Sequence, residues 1–428
     1  MVFVKHSKRF SALFKSAFPA FAAVGLFIAL LMAGCGRSAD RAENLFQIPW
    51  PDKNGKYSLQ AVSISGFDQP HTLQGRYAQI FVNPYARDGQ IVSHMPIGRF
   101  VRSKDGVYIP ADYTSLQATT IHAHFERFYQ MDRELGVELE WPVKVGIRSN
   151  VKDRRGMVRN NAIFDGRLDA LLIVPYLPKK GLPIGVNAGI LAHEHFHMIF
   201  QEAVIRRIRF KRKERLDLGG RACAWGARQR EHESRLFDFR EDPSLYPSLY
   251  NEFSVRSLNE GLADFWGWVY TGDVDFIGHS LPLESPNRRL DQKVEEAISR
   301  EWVKGKVFNE ITQRPYNESI LSENVYLVGS RYARFLYELA TESTEDKGRS
   351  FESRKQVAKA VIHALPAMAK ATATAEATDA YVSPNVFLKA LYENWPRRNR
   401  SVCKIFKRVA VADEHLLADD LNCDGGEE

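Results

Sequence analysis

The run Leu191-Ala192-His193-Glu194-His195-Phe196-His197 contains H-E-x-x-H at 193–197. The motif lies in an apolar stretch, and Asn187 can cap a helix that continues past Gln201. Residues four apart on a helix project about 40° from one another, so His193 and His197 can face one metal ion. Glu194 is turned by about 100°, near enough to serve a water beside the metal without ligating it. His195, about 200° from His193, points elsewhere and reads as a bystander. With 12 histidines in 428 residues, the motif arises by chance far less than once per chain.

A catalytic zinc site needs a third protein ligand and one open position. A third histidine six residues after the second is excluded, because Phe200 and Ala203 stand where that longer motif needs Gly and His. Ser257-Leu258-Asn259-Glu260-Gly261-Leu262-Ala263-Asp264 offers a glutamate instead. Glu260 and Asp264 share a helix face, so Glu260 can ligate while Asp264 bonds a ligand histidine. The same residues have a structural reading, since Ser257-x-x-Glu260 is also a capping box. Rival ligands are Glu231, His232, Glu233 and His279.

The pairing of H-E-x-x-H with Asn259-Glu260-Gly261-Leu262-Ala263-Asp264 resembles the gluzincin metallopeptidases, whose glutamate sits in N-E-x-x-x-D. Asn160-Asn161-Ala162 is similar to the Asn-Ala edge that holds substrate backbone in thermolysin-like enzymes. Tyr326-Leu327-Val328-Gly329 resembles the Y-x-x-G of the aminopeptidase branch. The likeness covers roughly residues 115–340 and implies a zincin-like catalytic core, a twisted sheet plus a zinc helix. It implies one Zn2+ per chain held by His193, His197 and Glu260, with Asn259 and Asp264 supporting the ligands. Glu194 is then the general base of peptide hydrolysis, Tyr326 a donor to the tetrahedral intermediate, and Asn161 and Ala162 a binding edge for extended peptide. Two departures stand beside it. The gap from His197 to Glu260 is 63 residues, and no G-x-M-x-N exopeptidase motif occurs, so the default is an endopeptidase.

The elements that must position these residues make an α+β chain. From Phe46 to about Tyr108 the pattern is β: Leu59/Ala61 and Val62/Ile64 alternate, Asp52-Lys53-Asn54-Gly55 reads as a turn, and Ile80-Phe81-Val82 as a strand. Near Asp112 the period changes, and Leu116, Ile121, Phe125, Phe128 and Leu135 form a helical stripe ending at Gly136. Val143–Ile147 and Leu171–Val174 are strand candidates. Helices are expected at 258–270, 292–304, 324–340, 351–369 and 385–394, with Thr/Ala-rich 371–380 as an exposed linker. The resulting division is a signal segment (1–34), a β-rich N-terminal region (35–111), the catalytic core (112–272) and a mainly helical C-terminal region (273–428).

Lys5, Lys8, Arg9 and Lys15 precede an apolar run from Ala17 to Ala33, the length of a signal-peptide core. The run ends in Leu31-Met32-Ala33-Gly34-Cys35, which resembles a bacterial lipoprotein signal and implies lipidation of Cys35. Gly36 after the cysteine favours an outer-membrane destination where two membranes exist. Either as lipoprotein or as uncleaved anchor, the rest of the chain is expected outside the cytoplasm. That setting permits a Cys403–Cys423 disulfide with Cys223 left free. The basic stretch Arg206 to Arg215 reads as a solvated helix face or as a contact with an anionic membrane. Asp420 to Gly425 matches the first half of a calcium loop, but the chain ends before the required glutamate, so an acidic tail is expected.

Composition narrows the function classes. At 44% hydrophobic and 26% charged the chain can bury a core, which excludes global disorder. Residues 1–34 carry four basic and no acidic residues, so only +3 of the formal +7 belongs to the remainder. Phe210 is the one aromatic within the basic stretch, and without an interleaved series nucleic acid is not expected as a partner. Peptide or protein substrate and the membrane remain. The alternatives to a peptidase are a zinc amidase acting on cell-wall peptides and a non-catalytic zincin-fold binding or assembly lipoprotein. The intact Glu194 argues against the last, since a purely structural site needs no general base.

Overall fold

A computed structural model describes residues 44–410, apart from 53–54, 68–69, 88–89, 95, 154–155, 177–180, 211–243, 245, 295–296, 314–317 and 397. The signal segment, Cys35, Cys223, the rival ligands Glu231, His232 and Glu233, the basic residues from Lys211 on, Cys423 and the C-terminal acidic tail lie outside the described residues.

The chain is α+β, with two mixed sheets and a large helical part. The first strands, β1 (Leu45–Pro51) and β2 (Tyr57–Ser63), pair antiparallel, with Trp50 opposite Ser58. β1 alternates inward Phe46, Ile48 and Trp50 with half-buried positions, the period-2 pattern of a strand covering a core on one face. β3 (Ala78–Arg87) and β4 (Gln90–His94) follow, then β5 (Phe100–Arg102) and β6 (Tyr108–Pro110). The last two complete a four-stranded sheet in the order β2-β1-β6-β5.

Helix α1 (Tyr113–Leu135) begins where the sequence period changes. The Asp112 side chain accepts from Ser115 N at 2.8 Å, and Gly136 closes the helix with φ of 72°. Its Ile121, Phe125, Phe128 and Leu135 are buried, as the stripe requires. β7 (Val143–Ile147) then lies parallel to β3, and β11 (Ala170–Ile173) parallel to β7. Between them come a two-residue pairing, β8 (Lys152–Asp153) with β9 (Gly156–Met157), and β10 (Ala162–Asp165). β10 runs antiparallel to β11 and forms the edge of the five-stranded sheet β10-β11-β7-β3-β4. Strands from before Asp112 thus belong to the same sheet as β10.

Helix α2 (Ala188–Ala203) is capped by Asn187, whose Oδ1 accepts from Gly189 N and Ile190 N. Next come α3 (Tyr246–Thr271), the single turn α4 (Ser285–Arg288), α5 (Arg300–Gln313), α6 (Glu318–Ser343), α7 (Phe351–Thr378), α8 (Asn385–Glu393) and α9 (Arg400–Ala410). Phe196 of α2 packs on Trp266 of α3 with ring centroids 5.1 Å apart. α3 begins well before the expected 258, so Ser257 is an interior helical residue and the capping-box reading is corrected. The linker expected at 371–380 is corrected too. α7 continues through Thr378, with Thr372, Ala375 and Glu376 buried, and ends on Asp379 at φ 54°. In the 292–304 region, the helix starts only at Arg300.

Arg206 pairs with Glu202 at 2.5 Å and with Asp169 at 3.6 Å, which gives one end of the basic stretch local carboxylate partners. Cys403, buried on α9, is disulfide-bonded. Among the described residues no helix is long and apolar enough to cross a membrane.

Candidate metal centre

Helix α2 lies between the β10 edge of the sheet and helix α3, and its two outer histidines of the motif turn to α3. His193 Nε2 and His197 Nε2 are 3.0 Å apart. Glu260 Oε2 stands 3.5 Å from the first and 3.7 Å from the second. Ligand atoms about 2.0–2.2 Å from a tetrahedral zinc lie roughly 3.3–3.5 Å from each other, and the observed triangle brackets that value. Glu260 Oε2 is itself buried and makes no hydrogen bond. A buried carboxylate oxygen aimed at two imidazole nitrogens without a partner of its own fits a ligand to a cation. The residues therefore suit zinc in donor type, number and spacing.

Each ligand is oriented from behind. His193 Nδ1 is 2.9 Å from Asp264 Oδ1, and His197 Nδ1 is 3.0 Å from Asn259 Oδ1. These contacts leave both Nε2 atoms facing the same point. Asp264 is in turn gripped by Arg288 of α4, whose Nε and Nη2 donate to its two carboxylate oxygens at 3.0 and 2.5 Å. The Arg288 guanidinium lies 4.7 Å from the Tyr326 ring centroid. Nothing in the sequence marked Arg288; it comes from a single turn 24 residues beyond Asp264.

The charges in this cluster are coupled. Burial pulls the His193 pKa down, but the neighbouring carboxylates of Asp264 and Glu260 overcome it and hold the imidazole at about 9. Burial pushes Glu260 up, yet the neighbouring His197, His193 and Arg288 bring it to about 2. Asp264 is also held low, with Arg288 the largest cause opposing burial. Without a metal, His193 thus keeps a proton that supplies positive charge among the carboxylates. A dication would meet the same need.

Glu194 points to the sheet, where its Oε2 accepts from Phe164 N of β10 at 3.0 Å. Amides alternate along a strand, so Ala162 shares the outward edge of β10 with Phe164, away from β11. Ala162 N meets the Asn161 side chain at 3.0 Å, and Asn160 before it has φ of 51°. Ala162 therefore opens the edge strand that meets Glu194 at Phe164, and Asn161 directly precedes it.

Tyr326 comes in on α6 through a close helix crossing. A Cβ on Gly261 would lie 2.2 Å from Gly329 O, and one on Gly329 would lie 2.9 Å from Gly261 N and 3.2 Å from Glu260 Cβ. Only glycine at both positions lets the two backbones touch, one residue after Glu260 and three after Tyr326. The Tyr326 pKa is raised, first by the charge of Glu260, then by burial, with Glu194 contributing. Its hydroxyl is therefore within the field of both carboxylates.

The structure brings His193, His197, Asn259, Glu260 and Asp264 together, with Glu194 held at Phe164 and Tyr326 against Arg288, while Ala162 lies on the same edge strand as Phe164. His195 turns the other way, its Nε2 3.0 Å from Asp132 Oδ2 and its ring stacked on Phe128 at 4.7 Å. The rival His279 instead pairs with Asp273 Oδ2 at 2.6 Å. Among the described residues, His193, His197 and Glu260 form the one group placed to share a metal ion. No protein-family model matches the chain, and no curated protein matches it in sequence.

Proposed function

We propose that the chain is a zinc-dependent peptidase of gluzincin type, built on a zincin-like core and carried outside the cytoplasm by a lipid anchor at Cys35. The observation that carries this reading is the buried Glu260 Oε2, free of hydrogen bonds and aimed at two imidazole nitrogens. His193, His197 and Glu260 would hold the ion, which when bound supplies Lewis acidity towards a carbonyl oxygen and a water. Glu194, fixed by Phe164 N, takes the proton of the attacking water and returns it to the leaving amine. The Tyr326 hydroxyl, kept protonated by its surroundings, donates to the oxyanion as it forms. The outer edge of β10 at Ala162 pairs with an extended peptide and aligns it across Glu194. The disulfide at Cys403 supports an oxidising compartment.

Metal analysis and peptide turnover test the reading together. Wild type is expected to hold about one zinc per chain, Glu260→Ala to lose it, and Glu194→Gln to keep it. Glu194→Gln should lower turnover by about 100-fold or more. Unchanged zinc content in Glu260→Ala, or full activity in Glu194→Gln, sinks the proposal.

A further inference from the structure

Helix α3 is buried almost all the way round. Of its 26 residues, Arg256 alone is exposed, and the half-buried ones away from the helix ends are Asn259 and Glu260. The helix therefore opens to solvent at one place, which is the mouth of the proposed metal centre. Arg256 stands one turn before Glu260, about 40° round the axis from it and about 6 Å along it.

A second cation of the cleft, Arg288, is already paired with Asp264 through two hydrogen bonds. Arg256 has no hydrogen bond or ion pair with any other residue among those described. Its charge nevertheless reaches the cleft, because it lowers the pKa of the Tyr326 hydroxyl against the two carboxylates that raise it. Arg288 takes up Asp264 and the proposed ion takes up Glu260, so the unpaired guanidinium at the opening stays available to an anionic group of a substrate. Its planar fork binds a carboxylate through two parallel hydrogen bonds, which a lysine could not reproduce.

Resting on the peptidase reading, we propose that Arg256 is a specificity residue that binds a substrate carboxylate close to the scissile bond. An extended peptide advances about 3.3 Å per residue, so an anchor about 6 Å from Glu260 meets a group within roughly two or three residues of the cut. The carboxylate belongs either to an Asp or Glu side chain or to the free C-terminus of the peptide. The substrate class is thus acidic peptides or short peptides cut near their C-terminal end.

Matched peptides separate the two sources: Asp against Asn at each flanking position, and free acid against C-terminal amide. Turnover by the wild-type full chain is compared with Arg256→Ala, Arg256→Lys and Arg256→Glu. Wild type should favour the carboxylate member of at least one pair by about 10- to 100-fold in kcat/KM. That ratio should collapse in Arg256→Ala, recover only in part in Arg256→Lys, and invert towards Lys- and Arg-containing peptides in Arg256→Glu. Binding of the same peptides to Glu194→Gln, followed by fluorescence anisotropy, needs no turnover and should show the same preference. Turnover that ignores the carboxylate, or a preference that survives Arg256→Ala, overturns the role of Arg256 and leaves the peptidase reading standing. Carboxylate-selective binding with no turnover of any peptide by wild type overturns hydrolysis and keeps the binding site.

Discussion

Helix α2 carries histidines on two faces, and the faces meet different surroundings. His193 and His197 look to α3, where Glu260, Asp264 and Asn259 stand within ligand or hydrogen-bond distance. His195 looks to α1, where it pairs with Asp132 and lies against Phe128. On α1 itself, His122 stacks on Phe67 and His124 on Trp50, both rings 4.3 Å from their partners. All of these histidines are largely or fully buried, so burial does not tell a candidate ligand from a core residue. Carboxylate density does. Where several acids converge, as around His193, an imidazole is held charged or ready for a cation; among aromatic rings, His122 and His124 are held neutral.

The sharpest way to break this contrast is to remove the acid behind each face. Asp264→Ala removes the buried member of the pair with half-buried Arg288 and the support from His193. Loss of one member of a buried ion pair should cost about 3–5 kcal/mol of stability, read by urea unfolding. Zinc affinity should fall by about 10- to 100-fold as well, read by competition with a chelator. Asp132→Asn on the other face should cost about 1–3 kcal/mol and leave zinc content unchanged. If both substitutions disturb the metal equally, the two faces are not independent.

Acid and alkali should act on the two regions with opposite sign. Burial lowers His122 to about 4 and His124 to about 3, against 6.5 in the unfolded chain. As pH drops below 6.5 the unfolded chain takes up protons first, so stability declines until about pH 4 and levels off below about pH 3. At about 1.4 kcal/mol per pKa unit, His122 alone contributes about 3 kcal/mol of that decline. His193 in zinc-free protein behaves the other way. Its pKa is raised to about 9, so its contribution is complete below pH 6.5 and is lost as pH climbs through 9. Unfolding midpoints measured with chelator from pH 4 to 9.5 should therefore fall at both ends. His122→Gln should flatten the acid limb and leave the alkaline one.

What was legible in the sequence follows the range of the interaction. Both metal motifs place their key residues four apart on one helix, so His193 with His197, and Glu260 with Asp264, could be read from local geometry. Arg288 could not, because its grip on Asp264 depends on how α4 is brought back across α3. The glycines at 261 and 329 look like ordinary motif letters until the helix crossing makes them contacts. The missed end of α7 has a local and a distant cause. Alanine favours helix, and Thr372, Thr374 and Thr378 return their hydroxyls to carbonyls of the preceding turn. Glu376 then takes hydrogen bonds from Ser248 and Asn251 of α3, which holds the Thr/Ala stretch against the core.

The smallest expected effect tests where the N-terminal strands join the metal region. Tyr57 of β2 accepts a hydrogen bond from Ala188 N at 2.7 Å, and its hydroxyl lies 3.4 Å from the capping oxygen of Asn187. The first amides of a helix have no partner within it, so β2 supplies one to the helix that carries H-E-x-x-H. Tyr57→Phe keeps the ring and removes that acceptor. The cost should be about 1 kcal/mol in urea unfolding, with zinc content unchanged, because Asn187 still holds Gly189 and Ile190. A loss of zinc in Tyr57→Phe would mean that the first sheet governs the position of His193 directly. No loss of stability at all would reduce its role to covering the core.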